Sequence, residues 1–171
     1  MIVLNARGPR NEAALTLSTA DVLDRHGASA SVCLIQFRSF GARAFSGTVE
    51  TVRSVEDNVL LKQRLGEPGD GRVLVVDGGG SLACALMGDT IATLARDSGW
   101  AGLVINGCVR DSVALGELGL GVKAIGTNPR PSRKEGAGEV DVPVTIGGVT
   151  FEPGAQLWAD EDGVVVLSGT D

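Results

Sequence analysis

Two pairs of residues that could do chemistry stand at opposite ends of one predicted helix and strand. Gly88-Asp89 lies at the start of a helical pattern, and twenty residues later Arg110-Asp111 follows a buried apolar strand. Free N–H groups at the start of a helix favour a bound carboxylate or phosphate, and open α/β sheets commonly bind ligands at the carboxyl ends of strands. Because the helix runs back along the sheet and the strand returns, we expect both pairs to face one pocket.

The residue types in these pairs indicate a particular chemistry. A carboxylate such as that of Asp111, together with oxygen ligands from water and substrate, suits a hard ion such as Mg²⁺ or Mn²⁺. Arg110 beside it can bind a substrate carboxylate with two hydrogen bonds or stabilise a developing enolate. The alternative, which spacing alone favours, is that Asp89 only caps the helix and that Arg110 and Asp111 belong to a solvated turn.

The elements around these pairs form a β-α-β pattern. The apolar run "GRVLVVDGGG" predicts a buried strand, "MGDTIATLARDSG" a helix that closes on Gly99, and "AGLVING" a second buried strand. A short helix "DSVALGEL" and a strand "GVKAIG" follow. The pair-bearing segment therefore lies within an α/β sheet.

The flanking regions predict further short elements. Ser18 or Thr19 can cap a helix "TADVLDRHG" closed by Gly27, the stretch 37–55 suits short strands, and Asp57 starts a helix "DNVLLKQRLGE". From Gly138 onward strands alternate with turns. We therefore predict one domain over residues 1–171, of class α/β with an added β layer and a β-rich C-terminal third, in which residues 1–17 are loosely held.

Composition excludes several classes of protein. The net charge of -6, without a cluster of Lys and Arg, argues against direct binding of nucleic acid. No apolar run approaches the roughly 20 residues that span a bilayer, and the start "MIVLNARGPR" lacks a signal-peptide pattern, so a cytoplasmic protein without membrane attachment is expected. Cys33, Cys84 and Cys108 have no metal or disulfide spacing and are interpreted as buried, inert thiols.

Three other candidate sites are weaker. Gly78, Gly80 and Ala83 fit the G-x-G-x-x-A pattern of dinucleotide or adenosylmethionine folds, but no acidic residue ends the next strand, so a plain tight turn is preferred. His26 at a helix end has no nucleophile to join and is interpreted as a surface or capping residue. Lys123 could form a Schiff base if buried, although a strand-edge lysine is the preferred interpretation.

Several ordered segments carry a family resemblance. Besides Gly88-Asp89 and Arg110-Asp111, they are "FRSFG", "VEDNVLLKQRL", "VLVVDGGGSLACALMGD", "GWAGLVINGCVRD", "GVKAIGTNPR" and "GGVTFEPG", which together reach from about Ser18 to Leu167. The chain resembles the family of RraA-like proteins (regulator of ribonuclease activity A) and class II 4-hydroxy-4-methyl-2-oxoglutarate aldolases, older members of which were mislabelled as demethylmenaquinone methyltransferases.

The resemblance implies a fold and a site. The fold is a swivelling β/β/α type, assembled as a ring-shaped homotrimer, with pairing of trimers into hexamers left open and sites at subunit boundaries. Asp111 is then the ligand of the divalent metal and Arg110 the substrate-binding arginine. Gly88, Asp89, Thr90 and Ile91 form the backbone cradle for the pyruvyl carboxylate. The catalytic residues are Arg110, Asp111 and Asp89.

The resemblance also implies two functions. The first is metal-dependent cleavage of 4-hydroxy-4-methyl-2-oxoglutarate to pyruvate, with oxaloacetate decarboxylation through the same pyruvate enolate. The family's aldolases carry a C-terminal helical extension that gives an acidic residue to the neighbouring site; the end "DGVVVLSGTD" has none, so low activity is expected. Asp160, Glu161 or Asp162 could replace that residue or form a polar turn. The second function is non-catalytic binding of ribonuclease E to restrain RNA cleavage, helped by an acidic surface.

Overall fold

The computed structural model describes residues 17–169, which form four α-helices, one short 3-10 helix and twelve strands. The helices are α1 (Thr19–His26), α2 (Val59–Leu65), α3 (Asp89–Asp97) and α4 (Ser112–Glu117). The strands are β1 (Ala30–Val32), β2 (Arg38–Phe40), β3 (Phe45–Arg53), β4 (Val73–Asp77), β5 (Ala85–Met87), β6 (Gly102–Val109), β7 (Gly121–Thr127), β8 (Glu139–Val140), β9 (Val144–Ile146), β10 (Val149–Phe151), β11 (Gln156–Ala159) and β12 (Val164–Leu167). The expectation of loose order at residues 1–17 lies outside the described residues, Leu17 excepted.

One large sheet forms the body of the protein. Its strand order is β1-β12-β11-β3-β4-β6-β7-β2, with β5 added beside β6 and β8 beside β3. The four central strands, β3, β4, β6 and β7, run parallel, and antiparallel strands continue the sheet on both sides. β9 and β10 make a separate hairpin. The predicted β-α-β unit and the β-rich C-terminal third are confirmed.

The apolar side chains of the central strands alternate between the two faces of the sheet, so the core has two layers. In β4, Leu74 and Val76 pack with the helices, whereas Val73 and Val75 pack with the C-terminal strands and the β9–β10 hairpin. Successive side chains of a strand point to opposite faces, so a wholly apolar strand must be covered on both sides. The result is a β/β/α layering, and the predicted α/β class with an added β layer is confirmed.

Local signals fix the helix ends. The Ser18 side chain caps α1 by accepting the Asp21 N–H, and Gly27, at φ +51°, ends that helix, both as predicted. After α3, the Gly99 N–H donates to the Arg96 carbonyl and the Trp100 N–H donates to the Ala95 carbonyl. This is a Schellman motif with Gly99 at positive φ, so the predicted end of the helix at Gly99 is confirmed.

The start of α3 differs from the prediction. The helical pattern was extended to Met87, but Met87 ends strand β5 and Gly88 is the residue that caps the helix. A three-residue apolar strand directly before a helix has no period of its own, so sequence alone merges the two. No helix within residues 17–169 combines the length and apolarity required to cross a bilayer.

Candidate functional site

Strand β5 joins the two segments that carry the predicted site residues. The Arg110 N–H donates to the Met87 carbonyl at 2.9 Å, which extends the parallel pairing of β5 with β6. At the other end of the strand, the Ala85 N–H donates to the Arg130 carbonyl at 2.7 Å. β5 therefore lies between the segment that follows β6 and the segment that follows β7.

The two residue pairs meet directly after β5. The Asp89 N–H donates to Asp111 Oδ2 at 3.2 Å. A Cβ atom on Gly88 would lie 2.4 Å from the same carboxylate oxygen and 3.1 Å from Arg110 Cγ. Real Cβ contacts do not come so close, so a side chain at this position would displace the Asp111 carboxylate. The two pairs therefore lie together, because the backbone at the start of α3 comes close to the Asp111 carboxylate.

Asp111 adopts an uncommon backbone conformation. Its φ of +56° and ψ of 44° lie in the left-handed region, which only glycine enters without cost, although Asp and Asn tolerate it. This conformation turns the chain sharply between β6 and α4. Non-glycine residues in such conformations cluster at functional sites, where the surrounding structure enforces them.

The Arg110 guanidinium is only loosely held. Arg110 Nε lies 4.0 Å from Asp111 Oδ2, and Nη1 donates a long 3.5 Å hydrogen bond to the Pro129 carbonyl. The two side chains are 45% and 43% exposed, which gives them access to a ligand. Most of the five donors of the guanidinium therefore remain for an incoming acid.

The first turn of α3 offers further donors. Its N-cap is Gly88, which has no side chain to accept a hydrogen bond from the early N–H groups of the helix. The alternative that Asp89 only caps the helix is wrong. The Asp89 N–H serves Asp111, which leaves the N–H groups of Thr90 and Ile91, two residues of the cavity lining, as the other first-turn donors without an acceptor among the described residues.

All six predicted site residues line one cavity of about 460 Å³. That volume lies within the range of small-molecule sites. Asn58, Lys62, Ser132 and Lys134 also line the cavity and were missed by the sequence analysis. They come from α2 and from the irregular segment after β7, so no helical or strand period relates them to the two pairs.

Asp57 organises the part of the cavity that the sequence analysis missed. It is 1% exposed, and its carboxylate accepts hydrogen bonds from the N–H groups of Val59, Glu135 and Gly136. Burial raises the pKa of Asp57, but the backbone donors outweigh burial and lower the pKa below its ordinary value of 3.8. Asp57 was predicted only as a helix start, whereas its side chain also fixes the segment at 135–136.

Asp160, one of the three acidic candidates before β12, has a structural role within the chain. The buried Asp160 carboxylate accepts hydrogen bonds from the Thr19 N–H, the Thr19 hydroxyl and the Asp162 N–H, each near 2.8 to 2.9 Å. Burial raises its pKa, and these donors lower it below the ordinary value. Asp160 thus attaches α1 to the turn before β12, and the contribution of Asp160, Glu161 or Asp162 to a neighbouring subunit's site stays a prediction.

Lys123 is not at a strand edge. It is 3% exposed in β7, which pairs with both β6 and β2, and its Nζ donates to Ser39 Oγ at 2.6 Å and to the Asp160 carbonyl. Burial lowers the pKa of Lys123 from 10.5, while Asp160 and Glu161 act in the opposite direction. The strand-edge interpretation is therefore wrong, because pairing of β2 with β7 buries that position.

The other candidates have structural explanations. Gly79 and Gly80 have positive φ in a turn that leads to β5 rather than to a helix, so the dinucleotide pattern is an ordinary tight turn. His26 ends α1 in an exposed position. All three cysteines are free and buried, and burial raises the pKa of each thiol, as expected of inert cysteines.

Known proteins share this architecture. A Geobacillus kaustophilus structure described as S-adenosylmethionine: 2-dimethylmenaquinone methyltransferase is 48% identical, covering 90% of this chain and 96% of that one, with a TM-score of 0.88. That description is the mislabelling expected from the resemblance. The RNA-processing inhibitor RraA from Thermus thermophilis is 45% identical, covering 90% and 93% of the two chains, with a TM-score of 0.86.

A more distant relative and a family model extend the comparison. Streptomyces coelicolor RraAS2, described as an unusual member of the RNase ES inhibitor RraA protein family, is 30% identical over 88% of this chain and 79% of that one, with a TM-score of 0.71. The model of the RraA-like family, Aldolase/RraA, matches residues 16–166. With its β/β/α layers and this match over most of its length, the chain belongs to the RraA-like family.

Proposed function

We propose that this protein is a divalent-metal-dependent aldolase that cleaves 4-hydroxy-4-methyl-2-oxoglutarate to pyruvate and decarboxylates oxaloacetate at the same site. The observation that supports it best is the meeting of Gly88-Asp89 and Arg110-Asp111 at one cavity, with the Asp89 N–H on Asp111 Oδ2 at 3.2 Å. Both reactions require a site that binds a 2-oxo acid and stabilises an enolate. Donors and a carboxylate suited to both tasks line this cavity.

A single carboxylate fits the proposed metal. Residues 17–169 contain no group of three or more His, Cys, Asp and Glu side chains placed to hold an ion. Mg²⁺ needs no such cage, because it keeps several waters and binds through one or two carboxylates plus substrate oxygens. Within residues 17–169 the Asp111 carboxylate accepts a hydrogen bond only at Oδ2, so Oδ1 is available as a ligand. Bound there, Mg²⁺ or Mn²⁺ would supply Lewis-acid polarisation of the 2-oxo group.

The chain's own residues perform the other tasks. The Thr90 and Ile91 N–H groups bind the carboxylate beside the oxo group, and the α3 dipole favours that negative charge. Arg110 donates to the oxo oxygen, where charge develops as the enolate forms. In cleavage, the 4-hydroxyl loses its proton and becomes a carbonyl, while the electron pair of the C3–C4 bond passes to the pyruvate unit.

Asp89 completes this assignment. Its side chain is exposed at the rim of the cavity and forms no ion pair among the described residues. A carboxylate in this position can accept the hydroxyl proton and return it to C3 of the enolate, which yields the methyl group of pyruvate. In decarboxylation the C4 carboxylate leaves as CO₂ and the same enolate is protonated.

Pyruvate release tests the proposal. We expect release from both acids with Mg²⁺ or Mn²⁺ and none after treatment with a chelator. Asp111→Asn tolerates the left-handed backbone but removes the charge, so a loss of about 100-fold or more is expected. Asp97→Asn, at the opposite end of α3, should keep wild-type rates. Equal rates in the Asp111 and Asp97 variants would refute the metal role of Asp111.

A second candidate function is binding of ribonuclease E. The Thermus relative at 45% identity is described as an RNA-processing inhibitor, and the net charge of -6 would complement a basic RNA-binding surface. A pull-down with ribonuclease E at low and moderate salt tests it, with Asp111→Asn expected to bind as wild type does. Absence of salt-sensitive binding would count against this function.

The assembly and location follow the same proposal. We propose a homotrimer, with hexamers as an open alternative. Sedimentation equilibrium of the full chain would determine the mass, and a single species with the mass of a monomer would refute the trimer.

We also propose a cytoplasmic location. The three cysteines of the chain are unbridged, and free thiols are typical of reducing compartments.

A further inference from the structure

A second cavity lies beside the cavity of the candidate site, which is called the first cavity below. Its volume is about 340 Å³, which suits a small molecule, and no residue assigned to the proposed cleavage lines it. Pro131 lines both cavities, whereas Arg130 and Arg133 line only the second. Lys134 lines only the first. The segment 130–134 is therefore a wall that the two cavities share.

Arg130 is the first observation that points to a ligand. Its backbone is held in place, because its carbonyl accepts the Ala85 N–H at 2.7 Å and its N–H donates to Asn128 Oδ1 at 2.9 Å. Its guanidinium, by contrast, has no ion pair and no hydrogen bond among residues 17–169. The donors of that group are therefore available to an acid that enters the cavity.

Arg133 supplies a second guanidinium on a backbone that is held in the same way. Its N–H donates to the Glu56 carbonyl at 2.9 Å, and its carbonyl accepts the Asn58 N–H at 3.3 Å. Arg133 Nη2 lies 3.8 Å from Glu56 Oε2, which is too far for a hydrogen bond. The Arg133 guanidinium thus keeps donors for a ligand, and its anchored backbone reduces the conformational freedom that binding removes.

The Cys84 thiol indicates that these charges are close to the cavity. Cys84 is 6% exposed and belongs to the cavity lining, as does Ala83. Burial raises the pKa of the thiol, Glu56 raises it further, and Arg133 and Arg130 lower it. The carboxylate and both guanidinium groups therefore act on one buried, weakly polar group. The cavity combines two cations with a partly apolar lining.

Glu56 limits the charge that the second cavity accepts. Its φ of +55° lies in the left-handed region, which a non-glycine residue seldom adopts. Ser81 Oγ donates to Glu56 Oε1 at 2.7 Å and holds the carboxylate in the cavity lining. One carboxylate against two guanidinium groups leaves a single positive charge. A monoanion balances that charge, whereas a dianion is repelled by Glu56.

We propose that the second cavity binds a small monocarboxylic acid. Its carboxylate pairs with Arg130 and Arg133, and its carbon atoms contact Cys84 and Pro131. A planar carboxylate suits the planar guanidinium, which can bind it with two parallel hydrogen bonds. This inference does not depend on the proposed cleavage, because it uses neither of the residue pairs at the first cavity.

Butyrate is the probe for the second cavity, and the uncharged butyramide and the dianion sulfate are the comparisons. The ¹³C-labelled methyl group of Ala83 reports binding to the full chain by NMR at constant ionic strength. We expect butyrate to shift this signal in a saturable manner, butyramide to leave it unchanged, and sulfate to bind about fivefold more weakly than butyrate. The proposal is overturned by the absence of a saturable shift with butyrate, or by sulfate binding as tightly as butyrate.

Arg130→Met should raise the dissociation constant of butyrate about tenfold, since a charge-assisted pair is lost. Arg130→Lys should restore part of the affinity, because it keeps the charge but not the planar group. Arg25→Met is the matched control: it removes an exposed charge on α1, outside the lining of both cavities, and should keep the wild-type value. Equal weakening in the Arg130 and Arg25 variants would contradict the proposal.

Arg110→Met distinguishes the two cavities. It removes the proposed acid-binding group of the first cavity and should leave the Ala83 titration with butyrate unchanged. If the butyrate shift were lost in this variant, the acid would bind at the first cavity and the proposal would fail.

Glu56→Gln tests the preference for a single charge. Glutamine keeps an acceptor for the Ser81 hydroxyl but removes the negative charge. We expect sulfate to bind more tightly relative to butyrate in this variant than in wild type. An unchanged ratio of the two dissociation constants would refute this role of Glu56.

Discussion

The backbone N–H of Asp89 donates to Asp111 Oδ2 at 3.2 Å, so the first turn of α3 and the turn after β6 are joined at the point where both reach the cavity. This bond holds a carboxylate through one oxygen and leaves the other available. It also depends on Gly88, whose missing side chain leaves room for Asp111. The donor of this bond is a backbone N–H, whose position is fixed by the start of α3.

We expect Gly88→Ala to lower the activity, whereas Gly116→Ala should raise the stability and keep the activity. Its backbone angles suit alanine, but the new Cβ would meet Asp111 Oδ2 at 2.4 Å and displace the carboxylate. Small misplacements of catalytic groups cost up to about 100-fold in rate, so we expect pyruvate release to fall by at least tenfold. Gly116→Ala in α4 meets nothing within 4 Å and should stabilise the protein by up to about 1 kcal/mol with normal activity. Wild-type rates in the Gly88 variant would show that Asp111 need not stay in place.

Ser132→Ala should not lower the stability of the protein. The hydroxyl has no partner within the described residues, so its removal should leave the free energy of unfolding unchanged or raise it by up to about 1 kcal/mol. Ser54→Ala is the matched contrast, since Ser54 is also buried but its hydroxyl lies within hydrogen-bond distance of the carbonyls of Asp57 and Ala137. We expect that variant to lose about 1–2 kcal/mol. Urea unfolding measures both, and a large loss for Ser132→Ala would mean the hydroxyl has a structural partner.

Asp57→Asn should change the response to acid. The pKa of Asp57 is below 3.8 in the folded protein, so its carboxylate contributes stability above that pH, and the contribution is lost as the pH falls through the folded pKa. Replacement should cost about 2–4 kcal/mol at neutral pH, because several backbone donors lose a charged acceptor. Between neutral pH and pH 3 the difference from wild type should shrink. Asp24→Asn, exposed on α1, should follow the wild-type curve in urea unfolding at each pH.

Lys123→Met should change the response to base. The folded protein has the lower lysine pKa, so between that value and 10.5 the unfolded chain binds more protons, and stability rises with pH. The variant lacks this rise, so wild type should gain stability relative to it as the pH increases from 7 toward 10. Lys62→Met, exposed on α2, should keep the rise. Parallel curves for wild type and Lys123→Met would show that the amine stays charged in the fold.

The sequence was most informative where local chemistry decides structure. Caps such as Ser18, glycine stops such as Gly99 and the apolar run of β4 predicted elements that the structure confirms, because each depends on neighbours in the chain. The meeting of Asp89 with Arg110 and Asp111 was also predictable, since a helix that returns along a sheet brings those ends together.

The missed features depend on contacts between distant segments. Ser132 and Lys134 reach the cavity because Asp57, some 75 residues earlier in the chain, binds the backbone at 135 and 136. Lys123 is buried because β2 pairs outside β7, and three residues of β2 give little sign of that in sequence. The sequence analysis missed strand β5 for the same reason. Its pairing with β6 defines it as a strand, and three residues are too few to show a period in the sequence.

That short strand has a consequence for how the cavity and the core can vary. β5 is bonded through Met87 to the Arg110 segment and through Ala85 to the Arg130 segment. Met87 lines the cavity and also belongs to the buried layer that packs with the helices. A substitution in β5 would therefore disturb the core and the wall of the cavity together.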